Sequence, residues 1–203
     1  MNQYILSAII GYLFGCIQTS FIIGKLFGKI DVREHGSQNA GGSNITTLMG
    51  IKWGIFVGLI DILKGYFAVL VVQNYLDGSS ELIYISGAFA VLGHIFPFFM
   101  SFRGGKGVAT LTGMFFAIRW EFGVVLLLAQ IILSVITDYV AIGCIGAVVA
   151  APILIWYHNA QGVALVMILV LVLIQFNKFW PNFINIRKKQ ETGIREVLFK
   201  KNV

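Results

Sequence analysis

The chain has 203 residues, of which 58% are hydrophobic and only 12% are charged. Soluble domains carry roughly 25% charged residues, so a water-soluble globule could not hide this much apolar surface; the mean hydropathy of +0.85 agrees. Lys and Arg exceed Asp and Glu by 15 to 9, but the basic residues form short clusters between apolar runs. That distribution is typical of the cytoplasmic loops of a membrane protein and not of nucleic-acid binding. The composition predicts an all-α integral membrane protein.

Seven apolar segments follow one another along the chain. A hydrocarbon core of about 30 Å requires roughly 20 apolar residues per helix. The segments are Tyr4–Gly24, Gly54–Tyr75, Leu82–Phe99, Val108–Ile118, Phe122–Ile136, Val140–Trp156 and Val163–Trp180. Five are clear from length and hydropathy, whereas it stays open whether 108–118 and 122–136 both span. We therefore predict a single transmembrane domain over residues 1–203, a polytopic bundle of about seven helices.

The basic residues predict how this bundle is oriented. Cytoplasmic loops collect Lys and Arg. Seven crossings with a cytoplasmic C-terminus place the N-terminus outside. In this orientation all basic residues but two lie on the cytoplasmic side; the exceptions are Lys64, which is inside a span, and Arg119, which is in an outside turn. The opposite orientation would place those residues outside and is rejected. Three polar segments, near 31–47, 93–110 and 178–203, then lie at the cytoplasmic face.

The first polar segment combines glycines with neutral hydrogen-bonding side chains. Its candidate residues are Gly36, Ser37, Asn39, Gly41, Ser43 and Asn44. Glycine permits positive φ and a close approach of backbone N–H groups to a ligand, and successive N–H groups in such turns bind anions. The alternative is a solvated loop in which Ser43 or Asn44 caps the next helix. A single loop of this composition, taken alone, more often has that structural role.

The second polar segment places a Gly-Gly-Lys-Gly turn before an apolar helix. Its candidate residues are His94, Gly104, Gly105, Lys106 and Gly107. A nucleotide-binding P-loop is excluded, because Met100 stands where its first glycine belongs and Gly107 follows the lysine in place of Ser or Thr. A helix N-terminus binds anions and a lysine adds a point charge. The alternative for Lys106 is that its side chain only reaches from the bilayer to the interface, but this would not explain the three glycines around it. A lone histidine such as His94 is more often structural.

One charged pair lies inside a span. Asp61 and Lys64 are three residues apart, so they share a helix face and can pair. Charges in mid-membrane are costly and usually mark function, and a self-neutralising structural pair is an equal alternative. Glu191, in the C-terminal segment, is unremarkable on its own.

Together these segments predict two or three anion-binding turns where the cytosol meets the bilayer. Such a site suits an enzyme that joins a lipid-soluble chain to a phosphorylated, water-soluble partner. A transporter is less favoured, because it would be expected to show an inverted repeat and the sequence has no convincing one. A metal site is not predicted, since the histidines have no companions at ligand spacing.

The motifs resemble those of the bacterial acyl-phosphate-dependent glycerol-3-phosphate acyltransferases (the PlsY family) over nearly the whole chain. Residues 31–44 resemble the first motif of that family, residues 61–65 its second-helix stretch, and Gly93–Thr110 its second motif almost residue for residue. The resemblance implies transfer of a fatty acyl group from acyl-phosphate to the 1-hydroxyl of sn-glycerol 3-phosphate. The products would be lysophosphatidate and phosphate, in phospholipid biosynthesis.

The same resemblance implies the setting of the reaction. The protein would be a multi-pass protein of a bacterial plasma membrane, with its active site on the cytoplasmic side. It would be coupled functionally to an enzyme that forms acyl-phosphate, and it would use no CoA, acyl carrier protein, metal or other cofactor.

The resemblance also assigns roles to the candidate residues. Lys106 would offset charge on the leaving phosphate, while Ser37 and His94, with Asn39, would orient an acceptor whose hydroxyl attacks an already activated carbonyl. Ser37, His94 and Lys106 are thus the predicted catalytic residues. The predicted substrate-binding residues are Gly36, Asn39, Gly41, Ser43, Asn44, Gly104, Gly105, Gly107, Asn182 and Glu191.

The chain departs from the family pattern where cations are expected. Thr47 stands for an arginine of the first motif, and Asn185 and Phe179 stand for an arginine and a histidine of the third. Arg187 or Lys188 could supply the missing charge by a shift of register. Two alternatives therefore stay open: a divergent paralogue with another phosphorylated acceptor, and a non-catalytic membrane protein that binds phospholipid.

Overall fold

The computed structural model describes residues 2–76, 79–158 and 162–199, and every regular element in this part of the chain is helical. The predicted all-α class is confirmed. The C-terminal residues 200–203, whose two lysines counted in the orientation argument, lie outside the described residues. The α-helices are α1 (Gln3–Gly15), α2 (Thr19–Ile23), α3 (Gly42–Met49), α4 (Ile51–Tyr75), α5 (Ser80–Ile95), α6 (Val108–Ile118), α7 (Trp120–Thr137), α8 (Val140–Tyr157), α9 (Val163–Arg187) and α10 (Ile194–Phe199).

Six helical segments are long and apolar enough to cross a membrane. They are Gln3–Gly28, in which α2 and a π-helical turn continue α1, then Ile51–Tyr75, Ser80–Met100, Trp120–Thr137, Val140–Tyr157 and Val163–Arg187. The stretch 122–136 thus belongs to a full-length helix. By contrast, α6 has 11 residues, about 16 Å at 1.5 Å per residue, or about half the hydrocarbon core. The seven predicted segments are all helical, and the shortest spans only part of the bilayer.

The N-terminus and the C-terminal segment lie at opposite ends of the bundle. At one end the Tyr4 hydroxyl donates to Glu81 at the start of α5, over 2.8 Å. α6 runs back towards that end from Gly107, and at its far end the ring of Phe115 lies 6.5 Å from that of Phe122 at the start of α7. At the other end, the segment that follows α9 packs on Asp138, between α7 and α8. Which end faces the cytoplasm stays a prediction.

α6 packs closely against the middle of α4. Gly65 of α4 lies directly against the backbone of Thr110, and Gly113 of α6 lies against the backbone of Ile62. A methyl group at either glycine would collide with main-chain oxygen, so both must lack a side chain for the helices to cross this closely. The largest fully buried side chains around this crossing include Tyr84, Leu111, Met114, Phe115 and Leu126. The crossing fixes the N-terminus of α6, which follows the Gly-Gly-Lys-Gly turn.

Candidate active site

A cavity of about 250 Å³ opens between the first polar loop, the Gly-Gly-Lys-Gly turn, the last turns of α9 and the C-terminal segment. Its lining residues are Ser37, Gln38, Asn39, Arg103, Gly104, Lys106, Lys178, Pro181, Asn182, Asn185 and Glu191. The structure therefore brings together six of the residues predicted from the sequence, namely Ser37, Asn39, Gly104, Lys106, Asn182 and Glu191. These come from all three polar segments.

A chain of hydrogen bonds connects the Gly-Gly-Lys-Gly turn to the C-terminal segment across this cavity. The Lys106 ammonium donates to Asn182 Oδ1 at 2.5 Å, and Asn182 Nδ2 donates to Glu191 Oε1 at 2.6 Å. The ammonium also lies 4.4 Å from the ring centroid of Phe179, and the Lys106 carbonyl accepts from Gln175 Nε2 at 3.0 Å. Side chain and backbone of Lys106 are therefore both held by α9.

The C-terminal segment carries Glu191 to the cavity because it is anchored on the turn between α7 and α8. The backbone N–H of Ile194 donates to the Asp138 carbonyl at 2.8 Å. The N–H of Arg195 donates to Asp138 Oδ1, also at 2.8 Å. Asp138 has φ +67°, a left-handed conformation that Asp and Asn tolerate better than most residues.

The cavity has an excess of positive charge. Arg103, Lys106 and Lys178 face one carboxylate, Glu191. Burial lowers the pKa of Lys106 from its ordinary value, Glu191 acts in the opposite direction, and the neighbouring Lys178 lowers it further. Lys106 and Lys178 are partly buried and Arg103 is exposed; partial burial of the two lysines costs free energy, and an anion such as phosphate would recover it. The lining therefore suits a phosphorylated ligand.

Asn44 is buried behind the first polar loop, where it binds the loop backbone, and it does not line the cavity. Its Oδ1 accepts from the N–H of Ser37 at 2.9 Å, and its Nδ2 donates to the carbonyls of Val32 and His35 at 2.9 and 3.0 Å. Gly36 has φ +60°, and its α-carbon lies so close to Asn44 Oδ1 that a side chain there would collide. The buried amide thus turns the loop so that Ser37 reaches the cavity.

The remaining predicted residues of the first loop serve its connection to α3. Gly41 is the N-cap of α3, and the Ser43 carbonyl accepts from Thr47 Oγ1 at 3.3 Å. Neither Gly41 nor Ser43 lines the cavity. Thr47 is exposed on α3, away from the lining.

Asp31 and Arg33 anchor the start of this loop to the second polar segment. The Arg33 guanidinium contacts both Asp31 oxygens, Nε to Oδ1 at 3.0 Å and NH2 to Oδ2 at 2.7 Å, and its NH1 donates to the Met100 carbonyl at 3.1 Å. The hydrogen bonds from Arg33 hold the pKa of Asp31 well below its usual range. The pair closes the loop against residues 98–100.

His94 is buried behind the Gly-Gly-Lys-Gly turn and outside the cavity lining. The N–H groups of Gly104 and Gly105 donate to the carbonyls of Ile95 and His94 at 3.1 and 3.0 Å, and Gly105 lies directly against the His94 ring. Gly107 has φ +79° and is the N-cap of α6, where its carbonyl accepts from the N–H of Leu111 at 2.8 Å. Gly105 and Gly107 therefore support the turn, whereas Gly104 reaches the cavity.

The charged pair inside the second span forms a closed network with His94. The Lys64 ammonium lies 2.8 Å from Asp61 Oδ1, 2.7 Å from the Ile17 carbonyl and 2.7 Å from His94 Nδ1. An ammonium has three protons and only donates, so His94 Nδ1 accepts and the donor capacity of Lys64 is filled. Of the two interpretations of Asp61 and Lys64, the self-neutralising pair fits this geometry.

Lys178 and Arg103 are cavity residues that the sequence did not single out as site residues. Lys178 precedes Asn182 by four residues, one turn of α9, so the two share a helix face; that spacing could have found it. Arg187 and Lys188, the suggested sources of compensating charge, are exposed and do not line the cavity. The additional cation in the cavity is therefore Lys178 of α9, and not Arg187 or Lys188 as suggested.

Comparison with known proteins identifies similar sequences and a similar structure. The family model described as "Glycerol-3-phosphate acyltransferase" matches residues 5–189. Glycerol-3-phosphate acyltransferase 1 of Oceanobacillus iheyensis is 36% identical, covering 98% of each chain. The glycerol-3-phosphate acyltransferase of Prochlorococcus marinus is 35% identical, over 97% of this chain and 99% of that protein.

The fold is similar to that of a crystallised membrane enzyme. The crystal structure of PlsY (YgiH), described as an integral membrane glycerol 3-phosphate acyltransferase in its glycerol 3-phosphate form, superposes with a TM-score of 0.88. The sequence identity is 30%, and the match covers 97% of this chain and 98% of that one. The form of the same enzyme with lysophosphatidic acid superposes with a TM-score of 0.83.

Proposed function

This chain belongs to the glycerol-3-phosphate acyltransferase family and is a multi-pass membrane acyltransferase; we propose that its acyl donor is acyl-phosphate and its acceptor the 1-hydroxyl of sn-glycerol 3-phosphate. One observation carries the proposal. The cavity combines three cations with one carboxylate, and it lies beside apolar surface of a membrane bundle. Its chemistry suits a reaction between a phosphorylated polar molecule and a phosphate that carries a lipid chain.

The reaction needs little covalent chemistry from the protein. The acceptor hydroxyl oxygen attacks the acyl carbonyl carbon, and the bond between that carbon and the phosphate oxygen breaks. The hydroxyl proton ends on the departing inorganic phosphate, so atoms and charge balance. The donor carbonyl is already activated, and catalysis rests on proximity and on charge stabilisation.

We assign the stabilising role to Lys106. Its ammonium is held at 2.5 Å from Asn182 Oδ1, and Asn182 is held in turn by Glu191. A cation fixed in this way can meet the charge that develops on the leaving phosphate without reorganising. Ser37 and Asn39, which line the same cavity, orient the acceptor together with Gly104.

His94 and Asn44 are assigned positioning roles in this proposal. The His94 carbonyl accepts from Gly105 and its ring packs against that glycine, and Asn44 sets the course of the loop that presents Ser37. Gly36, Gly41, Ser43, Gly105 and Gly107 act through the same backbone geometry. Their substitution would therefore alter substrate binding without removing a group that touches substrate.

The proposed location of the site is the cytoplasmic face of a bacterial plasma membrane. The cavity lies at the end of the bundle where the basic residues cluster, and cytoplasmic segments are enriched in Lys and Arg. Glycerol 3-phosphate would enter from the cytosol, while lysophosphatidate would stay in the bilayer. The enzyme would depend on another that supplies acyl-phosphate.

The test is acyl transfer by detergent-purified protein from palmitoyl-phosphate to labelled glycerol 3-phosphate, with palmitoyl-CoA as the negative donor. We expect lysophosphatidate only with the phosphate donor. Lys106→Ala should lower kcat by about 100-fold or more, since loss of one stabilising donor costs about 10²–10³. Lys52→Ala, an exposed lysine of α4 outside the cavity, should keep its activity. Transfer from palmitoyl-CoA would refute the donor assignment, and a folded wild type inactive with both donors would refute the reaction.

A different phosphorylated acceptor is the second candidate, and Asn185 in the cavity lining favours it. An amide in place of a guanidinium removes a charge from the acceptor site, so a less charged or larger phosphate ester would fit. A panel of phosphorylated acceptors with palmitoyl-phosphate tests this. Preference for another ester over glycerol 3-phosphate would establish it, and inactivity of a folded protein with every acceptor would favour the non-catalytic alternative.

A further inference from the structure

An apolar groove of about 410 Å³ adjoins the polar cavity. It is lined by Phe96, Leu173, Ile174, Asn177 and Lys178. Lys178 is the one described residue that lines both the groove and the cavity. The two spaces therefore meet at its side chain.

Lys178 is a half-buried cation without a carboxylate partner among the described residues. Its ammonium lies 4.8 Å from the ring centroid of Phe96, and none of the ion pairs of the described chain includes it. An aromatic face attracts a cation weakly, by about 0.5–2 kcal/mol, and leaves its protons free to donate. The position is thus prepared for an anion.

An acyl-phosphate has a charged head joined directly to a hydrocarbon chain. Its carbonyl must lie where polar and apolar surroundings meet, within reach of both the acceptor and Lys106. Among the described residues that boundary is at Lys178, one helical turn before Asn182. The groove beyond it offers Leu173 and Ile174 to the first methylenes of the chain.

We propose that Lys178 binds the phosphate of the acyl donor, with the adjoining part of the acyl chain in the groove beside Phe96. This assignment rests on the proposed function and names a donor-binding residue for it. It also explains how the site retains enough positive charge although Thr47 and Asn185 replace expected arginines. Lys106 and Lys178 would hold the donor phosphate from two sides, leaving Ser37 and Asn39 to the acceptor.

The first test compares substrate affinities of Lys178→Gln, Lys178→Arg and the exposed-lysine control Lys52→Gln. A hydrogen bond to a charged group contributes about 1.5–3 kcal/mol, which corresponds to about a 10- to 150-fold change in affinity. We expect Lys178→Gln to raise KM for palmitoyl-phosphate about 10-fold or more, with KM for glycerol 3-phosphate changed less than about 3-fold. Lys178→Arg should restore most of the affinity. An equal rise in both KM values, or a larger rise for glycerol 3-phosphate, would overturn the assignment.

A second test does not depend on turnover. Dodecyl phosphate has the phosphate and chain of the donor but no carbonyl to transfer, so it should raise the unfolding temperature of wild type and Lys52→Gln but not of Lys178→Gln, in the same detergent. Stabilisation of all three proteins to the same extent would overturn the inference. If this pattern appears while wild type transfers no acyl group, the binding inference holds and the proposed function fails. If wild type transfers acyl groups normally and Lys178→Gln has the same KM values and the same stabilisation by dodecyl phosphate, the proposed function holds and the binding inference fails.

Discussion

The buried network of Asp61, Lys64 and His94 makes a sharp prediction about stability. The Asp61 and Lys64 side chains are 4% and 1% exposed, and Lys64 fills its three donor positions with Asp61, the Ile17 carbonyl and His94. Removing one member of a buried pair leaves an uncompensated charge and costs about 3–5 kcal/mol. We therefore expect Asp61→Leu and Lys64→Met each to be destabilised by that amount.

The double variant Asp61→Leu/Lys64→Met should be more stable than either single variant. It leaves no buried charge, and its cost is chiefly the lost donor to the Ile17 carbonyl and His94 Nδ1, about 1–3 kcal/mol. The sum of the two single losses should exceed the loss in the double variant by about 3 kcal/mol or more, a coupling that is large for neighbouring residues.

Reversible unfolding in mixed micelles, followed by circular dichroism, measures these free energies. Leu59→Met, an exposed residue on the same helix, is the control and should match wild type. Additive losses, with the double variant as unstable as the sum of the singles, would refute the view that the pair neutralises itself. So would single variants that unfold like the control.

Two further predictions concern the loops that border the cavity. Asp31→Asn should lose about 1–3 kcal/mol of stability at neutral pH; because Arg33 lowers the pKa of Asp31 in the folded state, this contribution is complete above its unfolded pKa of about 4 and is lost as the pH falls through the folded value. The difference in unfolding temperature between wild type and Asp31→Asn should therefore be constant above about pH 5 and shrink as the pH falls below about 4, and a difference that does not change below about pH 4 would contradict the pairing. Asp138→Ala should lower kcat/KM about 5-fold or more and make the C-terminal segment more sensitive to protease. The substitution removes a hydrogen bond worth about 1 kcal/mol and replaces a residue that tolerates positive φ. Asp138→Asn keeps both properties and should resemble wild type; equal losses in the two variants would argue that the carboxylate charge, and not the anchor, is what counts.

The sequence predicted the parts of the fold that depend on local composition. Runs of apolar residues set the helices, whereas the sequence left open whether residues 108–118 cross, and the structure shows an α6 of 11 residues, too short to do so. The close crossing at Gly65 and Gly113 could not be predicted, because it depends on which helix faces meet. It explains how so short a helix is held in place.

For the site, the sequence predicted the residues whose local geometry is distinctive. The glycines around Lys106 predict a turn at a helix N-terminus, and this turn lines the cavity. His94 and Asn44 lie instead behind the loops, where they satisfy buried polar groups. A polar side chain in a motif looks the same in sequence whether it turns toward a ligand or toward the backbone, so this distinction needed the structure.

The departures from the family pattern leave two lysines and one arginine in the cavity lining. Arg103, Lys106 and Lys178 supply three cations to the cavity, although Thr47 lies outside it and Asn185 contributes an amide. A lysine binds phosphate as a point charge, whereas an arginine fixes it through two parallel hydrogen bonds. Arg103 can hold a phosphate in this way, but orientation at Lys106 and Lys178 depends on the neutral groups around them, namely the amide of Asn182 and the backbone of the Gly-Gly-Lys-Gly turn. Acceptor selectivity should accordingly depend on loop geometry, which Asn44 and the Asp138 anchor control from outside the cavity.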